Sequence, residues 1–237
     1  MEFSDLIVKL LPTYTLEFLA ALTGIYYLNK VGSNKITRRF AIFLWIIFSV
    51  EIFGLYPALG YYTDYEYLSF IEGTWYVSNY WLYNPFLIFS FSFYIYYFRS
   101  YIDDKFWRQL IKYLTIAYIF MSIFNLFVSD VFLEGYSQFT TIGGTLILIF
   151  TIIIFYFELL KSDVLLKLKY FLPLYISVGA FIFYLCITPV DIFSRYFGGQ
   201  NQFFVQFRLN IYQYLNVFLY STYILGFIVC SRKKKSY

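Results

Sequence analysis

The sequence predicts an all-α, polytopic integral membrane protein of seven transmembrane helices. Two observations carry that reading: seven apolar stretches of spanning length, and a charge pattern that alternates between the connections joining them. Hydrophobic residues fill 61% of the 237 positions and charged residues 14%, against roughly half and a quarter in soluble domains. A soluble fold of this size has too little interior to hide so much apolar surface. The aromatic share of 27% is spread along the whole chain without a repeat, which suits a lipid-facing surface with tyrosines near its interfaces.

The stretches run from Leu10 to Leu28, Phe40 to Tyr61, Trp75 to Phe98, Leu110 to Val128, Phe139 to Leu160, Tyr170 to Val190 and Phe207 to Cys230, with ends set to within about 2 to 4 residues. Each is near the roughly 20 residues that an α-helix needs to cross about 30 Å of hydrocarbon. Helices satisfy every backbone group within the segment, as the bilayer demands. A transmembrane barrel would need strands of alternating polarity, and the run Leu146 to Tyr156 does not alternate.

The connections set the orientation. The first carries Lys30, Lys35, Arg38 and Arg39 with no acid, the second Asp64, Glu66 and Glu72 with no base. The third holds Arg99, Lys105 and Arg108 beside two aspartates, the fourth Asp130 and Glu134, the fifth Lys161, Lys167 and Lys169 beside Asp163. Lysine and arginine stay on the cytoplasmic side. With the basic tail Arg232 to Lys235, the pattern puts the N-terminus outside and the C-terminus in the cytoplasm, as a multi-pass protein of the cytoplasmic (inner) membrane. Only the sixth connection, with Asp191, Arg195 and Arg208, is ambiguous. The start, Met-Glu-Phe-Ser-Asp, lacks the basic region and cleavage site of a signal peptide, so the first helix is expected to persist. The whole chain, 1–237, reads as one transmembrane domain. Its longest connections, Thr63 to Gly73 and Asp191 to Gln206, lie outside; the latter, with Gly198, Gly199, Gln200, Asn201 and Gln202, is read as a short interfacial helix and a polar loop. The expected partner is the lipid bilayer; the net charge of +4 sits in short connections and does not point to nucleic acid.

Two carboxylates interrupt the apolar stretches, and an ionisable group inside a bilayer is a candidate functional site by default. Glu17 and Glu51 each lie 11 residues in from the cytoplasmic ends at Leu28 and Phe40, about 16 Å at the helical rise, so they share a level near the midplane. Ala20, Ala21 and Gly24 share the stripe of Glu17, and Gly54 and Ala58 that of Glu51. Small residues on one face mark close helix contact, so helices one and two are expected to place both glutamates in one seam. There the doubly charged state is disfavoured unless a cation compensates. The competing reading is that each glutamate bonds a nearby Tyr or Asn and fastens the bundle.

A second polar set maps to the outer half: Asn84, Asn125, Asn210, Gln213 and Asn216, with Ser221 deeper on the Gln213 face. Amides at one height on separate helices suggest an outward-facing polar cavity floored by the glutamates and walled by Trp81 and tyrosines. The bland alternative is interhelical hydrogen bonding.

Several functions are excluded by what the chain lacks. No lysine occurs in the last apolar stretch before Lys233, so a retinal Schiff base has no amine. Histidine is absent, and Cys186 and Cys230 lie far apart in the membrane order, so no cofactor or metal site is expected and no disulfide. No nucleophile elbow, phosphate loop or metalloprotease motif is present, and the chain reads as no enzyme.

Leu11-Pro12 followed by Glu17, Trp45 followed by Glu51, and Asn79-Tyr80-Trp81-Leu82-Tyr83-Asn84 resemble a set of small, uncharacterised, Tyr- and Phe-rich seven-helix bacterial membrane proteins. These in turn are similar to the membrane sensor regions that precede histidine kinases. The resemblance implies a signalling role, and since the sequence ends at Tyr237, the signal is expected to pass to a separate cytoplasmic or membrane partner. Three readings remain open: a sensor of a small or lipidic ligand at Glu17, Glu51, Asn84, Asn125, Gln213 and Asn216; a proton- or cation-coupled carrier using the glutamates; and a structural subunit of a membrane complex. Carriers often show inverted repeats with matching broken helices, whereas Pro12, Pro57, Pro85 and Pro173 fall at unmatched depths, which favours the sensor.

Overall fold

All seven apolar stretches are helical, the second as two helices in series, and none forms a strand, in a computed structural model that describes residues 3–32, 34–197 and 201–232. Met1, Glu2, Ser33, Gly198, Gly199, Gln200 and the tail lysines Lys233, Lys234 and Lys235 lie outside the described residues. The helices are α1 (Phe3–Val31), α2 (Lys35–Phe53), α3 (Tyr56–Tyr62), α4 (Tyr80–Arg99), α5 (Lys105–Val128), α6 (Val131–Glu134), α7 (Gln138–Lys161), α8 (Leu172–Phe197) and α9 (Gln202–Cys230). Polar residues in the connections start them. Asn34 caps α2 by accepting from the Thr37 amide at 2.9 Å, Asp104 caps α5, Ser137 caps α7 and Asn201 caps α9, each meeting an amide that the first turn leaves unpaired.

The second stretch, read as one helix from Phe40 to Tyr61, is broken. Pro57 has no amide hydrogen to extend α2, and its ring conflicts with the carbonyl four residues earlier, so α2 stops at Phe53 and α3 restarts with Pro57 in its first turn. The carbonyl of Gly54 that the break frees accepts a 2.9 Å bond from the Asn79 side chain. Two further boundaries move. Trp75–Val77 forms a separate 3₁₀ turn before α4, and the expected interfacial helix after Asp191 is instead the continuation of α8 to Phe197.

Packing closes the helices into a ring of neighbours, α1, α2, α4, α7, α8 and α9, with α5 laid outside against α4 and α7. Small residues make the tight seams: the Cα of Gly24 on α1 faces Ala41 of α2 and Phe227 of α9, Gly144 on α7 lies under the Phe91 ring of α4, and Gly226 on α9 lies under Tyr175 of α8. The α2–α4 contact is narrow in backbone terms and is made by rings. Phe43 stacks on Phe93 at 4.1 Å, and Phe40 touches Phe93, Tyr94 and Tyr97. The aromatic excess, expected on the outer surface, is thus also the filling of the ring: Tyr97, Tyr223, Phe40, Phe43, Phe91, Phe98, Phe155 and Phe227 are among the largest fully buried side chains.

The outside is apolar as well. On α5, Phe120, Phe124 and Phe127 form an exposed stripe, and Leu11, Ile42, Leu146, Phe157 and Leu225 do the same elsewhere. Among the described residues, five helices are long and apolar enough to cross a membrane: the α2–α3 unit, α5, α7, α8 and α9. Such a surface and these lengths are compatible with a multi-pass membrane protein.

Candidate functional site

Glu17 points inward from α1 and is 3% exposed, while the apolar face formed by Phe18, Leu22 and Ile25 turns outward. Its Oε2 has no hydrogen-bond partner within the protein, and the hydroxyl of Tyr220 on α9 faces its carboxyl. Glu51, near the end of α2, stays partly open and accepts a 2.8 Å bond at Oε2 from the Tyr83 hydroxyl of α4. The two carboxylates lie within electrostatic reach of each other, and Tyr14, one helical turn before Glu17, lies within reach of both. A step deeper, the Tyr94 and Tyr223 hydroxyls join at 3.0 Å. Four helices therefore contribute to one buried cluster of two acids and tyrosines. No lysine or arginine pairs with either acid: the one salt bridge among the described residues joins Arg208 to Asp191 at 3.5 Å.

The single seam expected for helices one and two is only half present. The Glu17 stripe of Ala20, Ala21 and Gly24 is buried, and Gly24 packs at the α1–α2–α9 junction. Gly54, on the Glu51 stripe, faces elsewhere: a side chain there would run into the Tyr83 ring. Glu51 is therefore engaged toward α4, on the side where Gly54 lets Tyr83 approach.

The amides do not converge on one cavity. Asn84, fully buried on α4, donates to the carbonyls of Val131 at 3.1 Å and Gly135 at 2.9 Å and accepts from the Ser137 amide at 2.9 Å. Asn125 on α5 accepts from the Ser137 hydroxyl at 3.0 Å. These two amides thus clamp the turn between α5 and α7, and Asn84 commits both its nitrogen and its oxygen to it. On α9, Gln213 reaches the carbonyl of Lys9 on α1 at 3.3 Å and Asn210 accepts from Gln206, while Asn216 and Ser221 are half-buried on the same helix. Trp81, expected as a cavity wall, donates to the Tyr56 hydroxyl at 2.7 Å.

An apolar groove of about 450 Å³ runs between the first half of α1 and the α2–α3 bend, lined by Leu10, Leu11, Tyr14, Ile52, Phe53 and Leu59, and neither glutamate is among its lining residues. That volume is in the range of small-molecule sites. Tyr14 is the residue that both lines the groove and lies within reach of both acids. Sequence reasoning did not single out Tyr14, Tyr83 or Tyr220. The helical offset of three from Glu17 and of seven from Gln213 put Tyr14 and Tyr220 on informative faces, but among 28 tyrosines that signal is weak. Among the described residues no group of three or more His, Cys, Asp or Glu side chains converges as a metal site.

No family model matches the chain, and no curated protein and no solved structure matches it.

Proposed function

We propose that the chain is a seven-span protein of the cytoplasmic membrane, N-terminus outside and C-terminus inside, that works as a receptor-like sensor of a small amphipathic ligand. The observation that carries the reading is the neighbourhood of Tyr14: this residue lines an apolar groove and lies within electrostatic reach of two acids, the partly open Glu51 and Glu17, which is buried with an unpartnered oxygen. A buried acceptor without a partner costs stability, so its retention fits a site that a ligand completes.

The span number rests on length and burial. α1 has 29 residues and α4 has 20, both enough for about 30 Å of hydrocarbon. Neither needs the hydropathy of a lipid-facing helix throughout: Glu17 of α1 faces inward, and α4, exposed only at Pro85 and Phe89, packs among α2, α5 and α7. The ambiguous sixth connection loses part of its positive charge to a local pair, because Arg208 binds Asp191, which also accepts from the Tyr212 hydroxyl at 2.7 Å. Cysteines placed at Tyr65 and Glu134 are expected to react with an impermeant thiol reagent from outside, and cysteines at Asp103 and Asp163 only after the membrane is opened; the reverse pattern contradicts the orientation.

A ligand in the groove would press α1 away from the α2–α3 bend, and α1 also packs on α9, which carries the shift to the end where the chain meets the cytoplasm. The resemblance to kinase-linked sensor regions fits a separate signalling partner there. The acid pair also supports a carrier that moves protons or cations. The readings part in proteoliposomes under a proton gradient: a sensor moves no protons, whereas amphiphile-dependent proton uptake that Glu51→Gln abolishes establishes the carrier. The groove itself is tested with a twelve-carbon alcohol bearing a terminal diazirine, which should photolabel the segments 7–14 and 52–59. Uniform labelling of all apolar helices rejects the site.

A further inference from the structure

We propose that three arginines at one end of the bundle, Arg39 of α2, Arg99 of α4 and Arg108 of α5, form a site for the phosphate of an anionic phospholipid headgroup. The site is separate from the groove and the glutamates, and it rests only on the chain's lying in a membrane. Arg39 meets Tyr96 and Phe43 stacks on Phe93, so α2 and α4 run antiparallel and the start of α2 stands beside the end of α4. The short connection after Arg99 brings the start of α5 to the same end.

Contacts tie the three into one row. The Arg39 guanidinium donates to the Tyr96 hydroxyl and lies 5.7 Å from the centre of that ring. Arg99 follows Tyr96 by three residues on the same face of α4, and its Nε donates to the backbone carbonyl of Arg108 at 2.6 Å. Arg99 is thereby turned onto the first turns of α5, within electrostatic reach of the exposed Arg108 head. Like charges held together repel, and the acids of the same connection do not answer them. Asp104 spends its Oδ1 on the amides of Phe106 and Trp107, Asp103 is exposed, and the one salt bridge among the described residues joins Arg208 to Asp191. An anion between the heads removes that repulsion. Phosphate suits it best, because each guanidinium fork pairs with phosphate oxygens through parallel hydrogen bonds.

The surface beside the arginines points to a lipid as the carrier of that phosphate. Lys105, Arg108 and Lys112 share one exposed stripe of α5, and Ile116, Ile123 and Phe127 continue it, also exposed. A basic stretch followed by an apolar run down one helix matches a phospholipid's order of head and chain. Tyr96 and Trp107 stand at the level of the head, where amphipathic rings anchor helices at the interface. A zwitterionic lipid brings its own ammonium to its phosphate, whereas an anionic one leaves the arginines as the nearest cations.

The test uses the full chain in phosphatidylcholine nanodiscs containing a minor fraction of phosphatidylglycerol, with a trace of either lipid bearing a diazirine beside its headgroup. The phosphatidylglycerol probe is expected to label residues 96–112 about tenfold more efficiently than the choline probe, and Arg99→Gln and Arg108→Gln should each reduce that preference about fivefold. Arg108→Gln keeps the backbone carbonyl that Arg99 holds, so folding is expected to survive. Arg99→Lys keeps the charge without the fork and should retain part of the preference. Lys161→Gln combined with Lys167→Gln removes two charges from another basic connection and should leave labelling of 96–112 unchanged. Equal labelling by both probes, or an equal loss in the lysine and arginine variants, overturns the site in favour of diffuse surface charge. Suppression of labelling by millimolar glycerophosphate overturns the lipid as occupant and assigns the arginines to a free phosphate ester. None of these residues lines the groove, so either failure leaves the groove reading where it stood.

Discussion

Asn84 and Glu17 are both polar, both buried almost completely and both carried by long helices, yet the structure treats them in opposite ways. Asn84 spends its donors and its acceptor on the turn between α5 and α7. Glu17 keeps an oxygen unbonded in a cluster that also contains a second acid. A saturated buried network rigidifies a fold, whereas a partly satisfied one lowers stability and persists for another reason. The comparison separates a part of the molecule built for holding from a part that the proposed function reads as built for binding.

The largest expected effect is at the saturated side. Asn84→Leu strands the carbonyl of Gly135 and the Ser137 amide together, and each stranded group costs about 1 to 3 kcal/mol, while the Val131 carbonyl keeps its bond from the Gly135 amide. Its melting temperature in detergent should fall furthest of the variants considered, and a Asn84→Leu protein as stable as the parent breaks the comparison at once. Next come the close approaches. Gly54→Leu and Gly144→Leu drive side chains into the Tyr83 and Phe91 rings and should cost about 1 to 3 kcal/mol, whereas Ile46→Leu, at an exposed position, should cost little. Equal melting temperatures for all three remove the small-residue seams from the account. A smaller loss, about 1 kcal/mol, is expected for Tyr94→Phe, which deletes the one bond to Tyr223 and keeps the ring packing; a loss as large as that of Asn84→Leu would mean that the tyrosine cluster is itself a structural clamp.

How much of this was legible beforehand depends on what periodicity carries. The seven apolar stretches are long, and all are helical, although the second is divided into α2 and α3. The break at Gly54 and Leu55 was hidden because the apolar run continues through it, although Pro57 was its signal. The four-residue α6 is too short for any periodic pattern, yet its carbonyls are what Asn84 holds. Heights along helices could be counted, which is why Glu17 and Glu51 were expected at one level. Direction around a helix axis could be counted only relative to its own residues. The stripe of Gly54 was real, but nothing in the sequence said that Tyr83, and not helix one, would press against it. The same gap explains the amides: Asn84, Asn125, Gln213 and Asn216 look alike on paper, and only the packing of α4, α5 and α9 separates the clamp from the rest.

The central claim is that the acid cluster is retained for binding and not for stability, and thermal unfolding of Glu17→Met tests it most directly. Made together with Tyr220→Phe, which removes the hydroxyl that faces the carboxyl, methionine nearly preserves the volume of the side chain and removes the unpartnered oxygen, so the account predicts a melting temperature equal to or above that of the Tyr220→Phe protein in detergent without added amphiphile. A fall as large as that caused by Asn84→Leu would contradict it, because Glu17 would then be part of what holds the bundle together.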